Sequence, residues 1–372
     1  MQAHRFIDRT PSILHPLHRI PVLVMLLVSM TAGTVGAEAS YRVVTSIKPV
    51  HSLVSAVMAG VDEPYLLIRG AASPHAFSLR PSDARKLKNA RVVFLVGKSM
   101  ETSLINAVEA LSNNARVIML FEAQGLVRRR LREGGTFETH SHETARDNKG
   151  TQAGGHIAVH PGDDPGQDED HAPHHDDEHT DTHVSSHGED GHDSKRHANG
   201  YDMHIWLDPV NAAVMTRLIA ATLSESDPAN AETFARNSGA LLHRLEALTS
   251  KITEQMKPVQ NKPFIVLHDA YRYFEDRFGL SAAGSIVVGS EQSPSVRRIQ
   301  DLRDKIHELG TICVFAEPQF DSRLVEIITE GTPARFGRLD PLGAALNEGP
   351  DAYFMLLNNM AESFRECLDP AG

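Results

Sequence analysis

Residues 227–257, DPANAETFARNSGALLHRLEALTSKITEQMK, decide how this chain is built. Phe234, Leu241, Leu242, Leu245, Leu248 and Ile252 recur at the spacing that gathers side chains on one face of an α-helix. Asp227 and Pro228 stand ahead of them in N-terminal capping positions. Gly239 weakens the pattern only slightly, and no strand signal interrupts it. At ~1.5 Å per residue such a helix is about 40 Å long, enough to run the length of a two-lobed molecule. A single stiff connector of that length implies only limited motion between the parts it joins.

On either side of this segment the pattern changes to short apolar runs separated by helical stretches. Upstream the runs are Arg42–Ile47, Tyr65–Ile68, Arg91–Val96 and Arg116–Leu120, with helices expected over Ser52–Ala59 and from a Ser82 cap through Leu87. Downstream they are Phe264–Leu267, Ser285–Val288, Ile312–Phe315 and Ala334–Phe336. Near-continuous apolar strands between helices predict parallel sheets covered on both faces. The expected fold class is therefore α/β, with two lobes of mostly parallel sheet joined by one long rigid helix. The boundaries read as a signal peptide over 1–39, an N-terminal lobe over 40–226, a linker helix over 227–260 and a C-terminal lobe over 261–372.

The first residues carry Arg5, Arg9 and Arg19, then the apolar run Val22–Val28 and the small residues Val35-Gly36-Ala37. That order predicts a secretory signal peptide with cleavage near Ala37 or Ala39. The apolar run is shorter than the ~20 residues a spanning helix needs. The mature chain is expected to be a soluble protein of an oxidising compartment, a bacterial periplasm. There, Cys313 and Cys367 read as a disulfide rather than two buried thiols. A net charge of −11 argues against a nucleic-acid binder, which needs a basic face.

One segment of the N-terminal lobe, 133–200, is unlike both lobes. It holds twelve of the 21 histidines and a net charge of −12, more than that of the whole chain. Phe137, Ile157, Val159 and Val184 are its only large apolar residues, too few to offset the entropy of ordering, so disorder is expected. Imidazoles interleaved with carboxylates bind borderline cations such as zinc, copper and nickel. His171, His174, His175, His179, His183 and His187 are the densest part, expected to form several weak, fast metal sites.

Three further histidines fall in loops or at strand ends. His75 lies in Ser73-Pro74-His75-Ala76-Phe77, His204 in Asp202-Met203-His204-Ile205-Trp206-Leu207-Asp208-Pro209, and His268 in Val266-Leu267-His268-Asp269-Ala270-Tyr271. Ligands bind outside the carboxyl ends of strands in open α/β sheets. Two such ends facing across a cleft would bring these imidazoles together.

These three stretches resemble the metal-ligand motifs of the periplasmic zinc-binding proteins of ABC uptake systems. Cys313-Val314-Phe315-Ala316-Glu317-Pro318-Gln319-Phe320 and Leu339-Asp340-Pro341-Leu342-Gly343 resemble two further motifs of that family. The resemblance runs in order from about Tyr41 to the end. It implies metal between two lobes, with His75, His204 and His268 as zinc ligands and Asp340 or water in the fourth position. Asp340 matches a carboxylate ligand of manganese-binding relatives, whereas His268 stands where those relatives have glutamate. Pro74 occupies a position that is often acidic in zinc members. The Cys313–Cys367 bond also matches a disulfide of zinc members. Glu317 is expected to make a structural hydrogen bond, and Trp206 to pack behind His204.

The function expected from all this is capture of Zn²⁺ in the periplasm and delivery to an inner-membrane ABC permease with its cytoplasmic ATPase, the histidine-rich loop collecting metal. The protein is expected to act as a monomer and not as an enzyme, with a periplasmic metallochaperone as a further partner. The alternatives are a zinc buffer with no transporter partner and, as a weaker reading, a zinc hydrolase; no His-Glu-x-x-His motif is present.

Overall fold

Each strand is short and followed by a helix, an arrangement that permits parallel pairing but not a tight hairpin. The structure, a computed structural model, describes residues 42–112, 114–132, 137, 200–287, 295–310 and 313–369. The expected signal peptide and almost all of the histidine-rich segment, including His171, His174, His175, His179, His183 and His187, lie outside the described residues.

In the N-terminal lobe, β1 (Val43–Thr45), α1 (Lys48–Met58), β2 (Tyr65–Leu66), α2 (Pro81–Asn89), β3 (Val92–Leu95), α3 (Thr102–Leu111) and β4 (Arg116–Met119) form a parallel sheet in the order β2-β1-β3-β4. Helix α4 (Pro209–Ser226) returns from the site, started by the Asp208 carboxylate on the Val210 amide (2.9 Å) and by Pro209. The long helix α5 spans Ala231–Met256. The C-terminal lobe repeats the first one's plan. Strands β5 (Phe264–Val266), β6 (Ala282–Ser285), β7 (Cys313–Ala316) and β8 (Arg335–Arg338) pair in the order β6-β5-β7-β8. Helices α6 (Arg272–Phe278), α7 (Val296–Leu309) and α8 (Arg323–Thr329) connect them, and α9 (Ala352–Leu368) closes the chain.

Several boundaries differ from the sequence expectation for identifiable reasons. Helix α1 starts before Ser52 because Pro49, with its fixed φ, sits in its first turn. Helix α2 is capped at Arg80, not Ser82: Pro81 is its first residue, and Asp83 accepts from the Arg80 amide (3.2 Å). Asp227-Pro228 opens a short 3-10 turn before α5 rather than capping it. Strand β6 lies three residues earlier than Ser285–Val288. Ala282-Ala283-Gly284-Ser285 carries little hydropathy and pairs through its backbone, while Ile286 and Val287 are buried just beyond the strand.

Phe234, Leu241, Leu245, Leu248, Ile252 and Met256 of α5 are buried in a core that reaches both lobes. Leu242 is half-buried. Helix α9, although it follows the second sheet in sequence, packs against α1 and α5. Tyr353 at its start is buried and tied on two sides: its amide donates to Ser52 Oγ (2.9 Å) and its hydroxyl to the Trp206 carbonyl (2.7 Å). Its far end is tied to β7 by the Cys313–Cys367 disulfide. Two helices and a covalent bond thus fix one sheet relative to the other. A second, smaller core fills the outer face of the C-terminal sheet. Among the described residues, no helix is long and apolar enough to cross a membrane.

Candidate metal centre

The strand order reverses direction between β1 and β3, and again between β5 and β7, and crevices open at such switch points. His268 follows β5 and Glu317 follows β7, so both emerge at the second lobe's switch point. His75 sits in a 3-10 turn, Pro74–Ala76, held by its own amide on Ser73 Oγ (3.3 Å). His204 immediately precedes another 3-10 turn, Ile205–Leu207, ahead of α4.

The structure brings the three imidazoles together. One ring nitrogen of each of His75, His204 and His268 lies within 4.8 Å of the others. His204 Nε2 and His268 Nε2 are 3.5 Å apart. The rings are inclined to one another, with centroids 5.9 Å apart for His75 and His204 and 5.3 Å for His204 and His268. Ser73, Pro74, Phe320 and Leu342 help enclose them in a cavity of about 20 Å³.

Two carboxylates aim the rings. Asp202 Oδ1 accepts from the His204 amide (2.9 Å) and contacts its Nδ1 (2.7 Å). Glu317 Oε1 lies 2.6 Å from His268 Nδ1. A proton held in each Nδ1–carboxylate contact leaves Nε2 as the free donor of electron pairs, the arrangement found behind metal-ligating histidines. The Trp206 ring packs 5.2 Å from that of His204, while its Nε1 donates to the Pro341 carbonyl of the other lobe (2.8 Å).

Electrostatics keep two of the rings neutral. Burial, aided by the other imidazoles, pulls His75 down to about 3. Burial and the neighbouring His268 do the same to His204, also to about 3. At His268 burial pulls down too, but the charge and hydrogen bond of Glu317, with Asp269 and Asp202 behind, outweigh it and raise the ring above 6.5. Burial pushes the Asp202 carboxyl up to about 8. Neutral imidazoles are the form that binds metal.

Asp340 does not join the group. Its Oδ1 accepts from the amides of Leu342 (3.2 Å) and Gly343 (2.9 Å), and its Oδ2 from that of Ala344 (2.6 Å). Among the described residues, no carboxylate oxygen shares the 4.8 Å span of the three imidazoles. His51, in α1, lies apart from the group and is buried, with Nε2 on the Pro64 carbonyl (3.1 Å).

Sequence reasoning missed Asp202, although its place two residues before His204 is the spacing of a side chain that folds back on its own backbone. It also missed Arg132, whose guanidinium bridges Asp269 and Glu275 in the second lobe. Nothing in the sequence pairs residues more than 130 positions apart.

The family model described as "Zinc-uptake complex component A periplasmic" (ZnuA) matches residues 43–367. The high-affinity zinc uptake system protein ZnuA of Brucella abortus is 48% identical over 326 residues, 88% of this chain and 91% of that one. The chain belongs to this zinc-uptake family. The Paracoccus denitrificans ZnuA is 37% identical over 88% of this chain and 91% of its own length. Among solved structures, a zinc-bound deletion mutant of ZnuA superposes with a TM-score of 0.64 at 21% identity, covering 88% of this chain and 98% of that one. At that identity the likeness concerns the fold, and it agrees with the two-lobed ZnuA architecture described above.

Proposed function

We propose that the protein captures Zn²⁺ at His75, His204 and His268 in the periplasm and hands it to an inner-membrane ABC permease driven by a cytoplasmic ATPase. The observation that carries this is the meeting of three imidazoles from positions 75, 204 and 268, backed by two carboxylates, in a family named for zinc uptake. Three nitrogen ligands suit borderline zinc, and structural and catalytic zinc sites alike are four-coordinate. With Asp340 engaged by its own loop, the fourth position falls to water.

Three histidines and a water also describe catalytic zinc. Cargo is the better reading because, among the described residues lining the cavity, no acid stands free to act as a general base. Glu317, the acid lining that cavity, is engaged with His268. Residues 1–39 direct export in this reading, and the histidine-rich segment of 133–200 raises the local zinc concentration. The mature protein acts as a monomer, lobes bounded near 226 and 260, and a metallochaperone that loads the loop fits the same scheme.

Zinc titration against a competing chelator tests the assignment. The wild type should show one tight site plus weaker ones. The triple variant His75→Ala, His204→Ala, His268→Ala should lose the tight site and keep the weak ones. Deleting residues 140–197 should do the reverse. Loss of the tight site on loop deletion would sink the division of labour. Zinc-limited growth of a deletion strain, relieved by added zinc, separates uptake from buffering.

A further inference from the structure

Lys48 is the first residue of α1, in a turn with no acidic residue to balance the helix dipole, which disfavours a cation there. It is also buried, only 5% exposed. What holds its ammonium lies in the other lobe. Nζ donates to the carbonyls of Gly343 (2.6 Å), Ala344 (3.1 Å) and Leu346 (2.6 Å). The amides of the same loop turn the other way, onto Asp340. Gly343 makes the reversal possible with a φ of +67°, in the left-handed region that favours glycine. The loop is gripped by a cation on its carbonyl side and a carboxylate on its amide side, and Trp206 holds its Pro341 carbonyl. Pro341 and Leu342 line the cavity of the three imidazoles.

We propose that Lys48 is a positioning and specificity-determining residue of the metal site: by fixing the carbonyls of Gly343, Ala344 and Leu346 it keeps Asp340 committed to the loop amides, so that the cation meets three imidazoles and no carboxylate. This deepens the zinc-site reading and rests on it. A nitrogen set without that oxygen favours zinc over manganese, which prefers carboxylate and water. Without the ammonium the three carbonyls lose their common anchor, the turn loosens, and Asp340 becomes free to swing toward the ion. Lys48 never touches the metal; it acts through Asp340.

The test uses the full-length mature chain as wild type, Lys48→Met, Asp340→Asn and the double variant. Each is loaded with half an equivalent of Co²⁺, so that the tight site fills first. The visible d–d spectrum reports the ligand set, and chelator competition gives the ratio of Mn²⁺ to Zn²⁺ dissociation constants. Wild type and Asp340→Asn should share one cobalt spectrum. Lys48→Met should show a different spectrum and a manganese-to-zinc ratio lowered by about tenfold or more, the scale of outer-sphere effects on metal sites. Adding Asp340→Asn to Lys48→Met should restore the wild-type spectrum, a rescue that general loosening of the fold does not produce.

A Lys48→Met variant with the wild-type spectrum and ratio overturns the proposal. So does an Asp340→Asn change that alters the cobalt spectrum of an otherwise wild-type chain, because Asp340 then shapes the ligand set while Lys48 is still in place. That second arm decides the matter even if Lys48→Met does not fold. The triple alanine variant of the three histidines separates the two levels: if it kept the wild-type cobalt spectrum, the zinc-site reading itself would fall. Failure of the Lys48 arms alone leaves that reading standing.

Discussion

Glu317 shows how much of the metal chemistry rests on residues that never meet the ion. Its carboxylate turns His268 and raises that ring's affinity for a proton. The sign follows directly. A raised value means that His268 holds a proton up to a higher pH than a free imidazole, and zinc must displace it. Zinc affinity should therefore fall as pH drops through that raised value, by about tenfold per unit while one proton is exchanged. Glu317→Gln removes the charge but keeps an acceptor. Its acid limb should move to lower pH, while affinity at pH 7.5 drops about 10- to 100-fold, as for other outer-sphere partners of metal-bound histidine. Chelator competition across pH 5 to 8 measures both. An unmoved limb would show that Glu317 does not tune His268. The three ring positions were legible because each lies in a motif-like stretch, and their backing was not. Glu317 and His268 are 49 residues apart, and only the adjacency of β5 and β7 joins them.

At the scale of elements, α5 was legible nearly residue by residue, because a helix with one wet and one dry face writes its period into the sequence. Strand β6 was not, since Ala-Ala-Gly-Ser is held by backbone pairing and has no hydropathy of its own. Helix α9 falls between these cases. Its buried positions are apolar, but nothing local tells that its first half meets α1 and α5 while Phe364, nearer its end, packs on Phe264 and Phe315 of the sheet it follows. The disulfide settles its far end. It closes a loop of 54 residues, worth about 4 kcal/mol in the chain-entropy account. Urea denaturation of Cys313→Ser, Cys367→Ser beside the wild type should show a loss of that order, with zinc stoichiometry at the tight site unchanged. A loss of zinc binding under native conditions would mean that α9 needs the bond to support the site.

The whole molecule is braced across the gap between its sheets. Helices α5 and α9 span it, and Lys48 and Trp206 reach from the first lobe to the loop after β8. Arg132 bridges Asp269 and Glu275, and Arg277 grips Asp208 from the opposite direction (2.7 Å). Such bracing predicts that zinc changes local order more than shape. The radius of gyration from small-angle scattering should move by no more than about 1 Å on loading, in keeping with the small shifts of pre-organised complexes. A larger contraction would contradict the stiffness read from α5. The two-lobed plan was legible from the restart of apolar runs after residue 262. The braces were not, because each joins residues distant along the chain.

The closeness of His75, His204 and His268 has a consequence for which ions the site admits. A cation held by all three rings gives up water molecules for imidazole nitrogens, and the rings must repay that loss. Magnesium parts with its water reluctantly and gains little from nitrogen, so its abundance gives it no advantage. Dehydration acts as the sieve, and the rings reward only ions able to pass it.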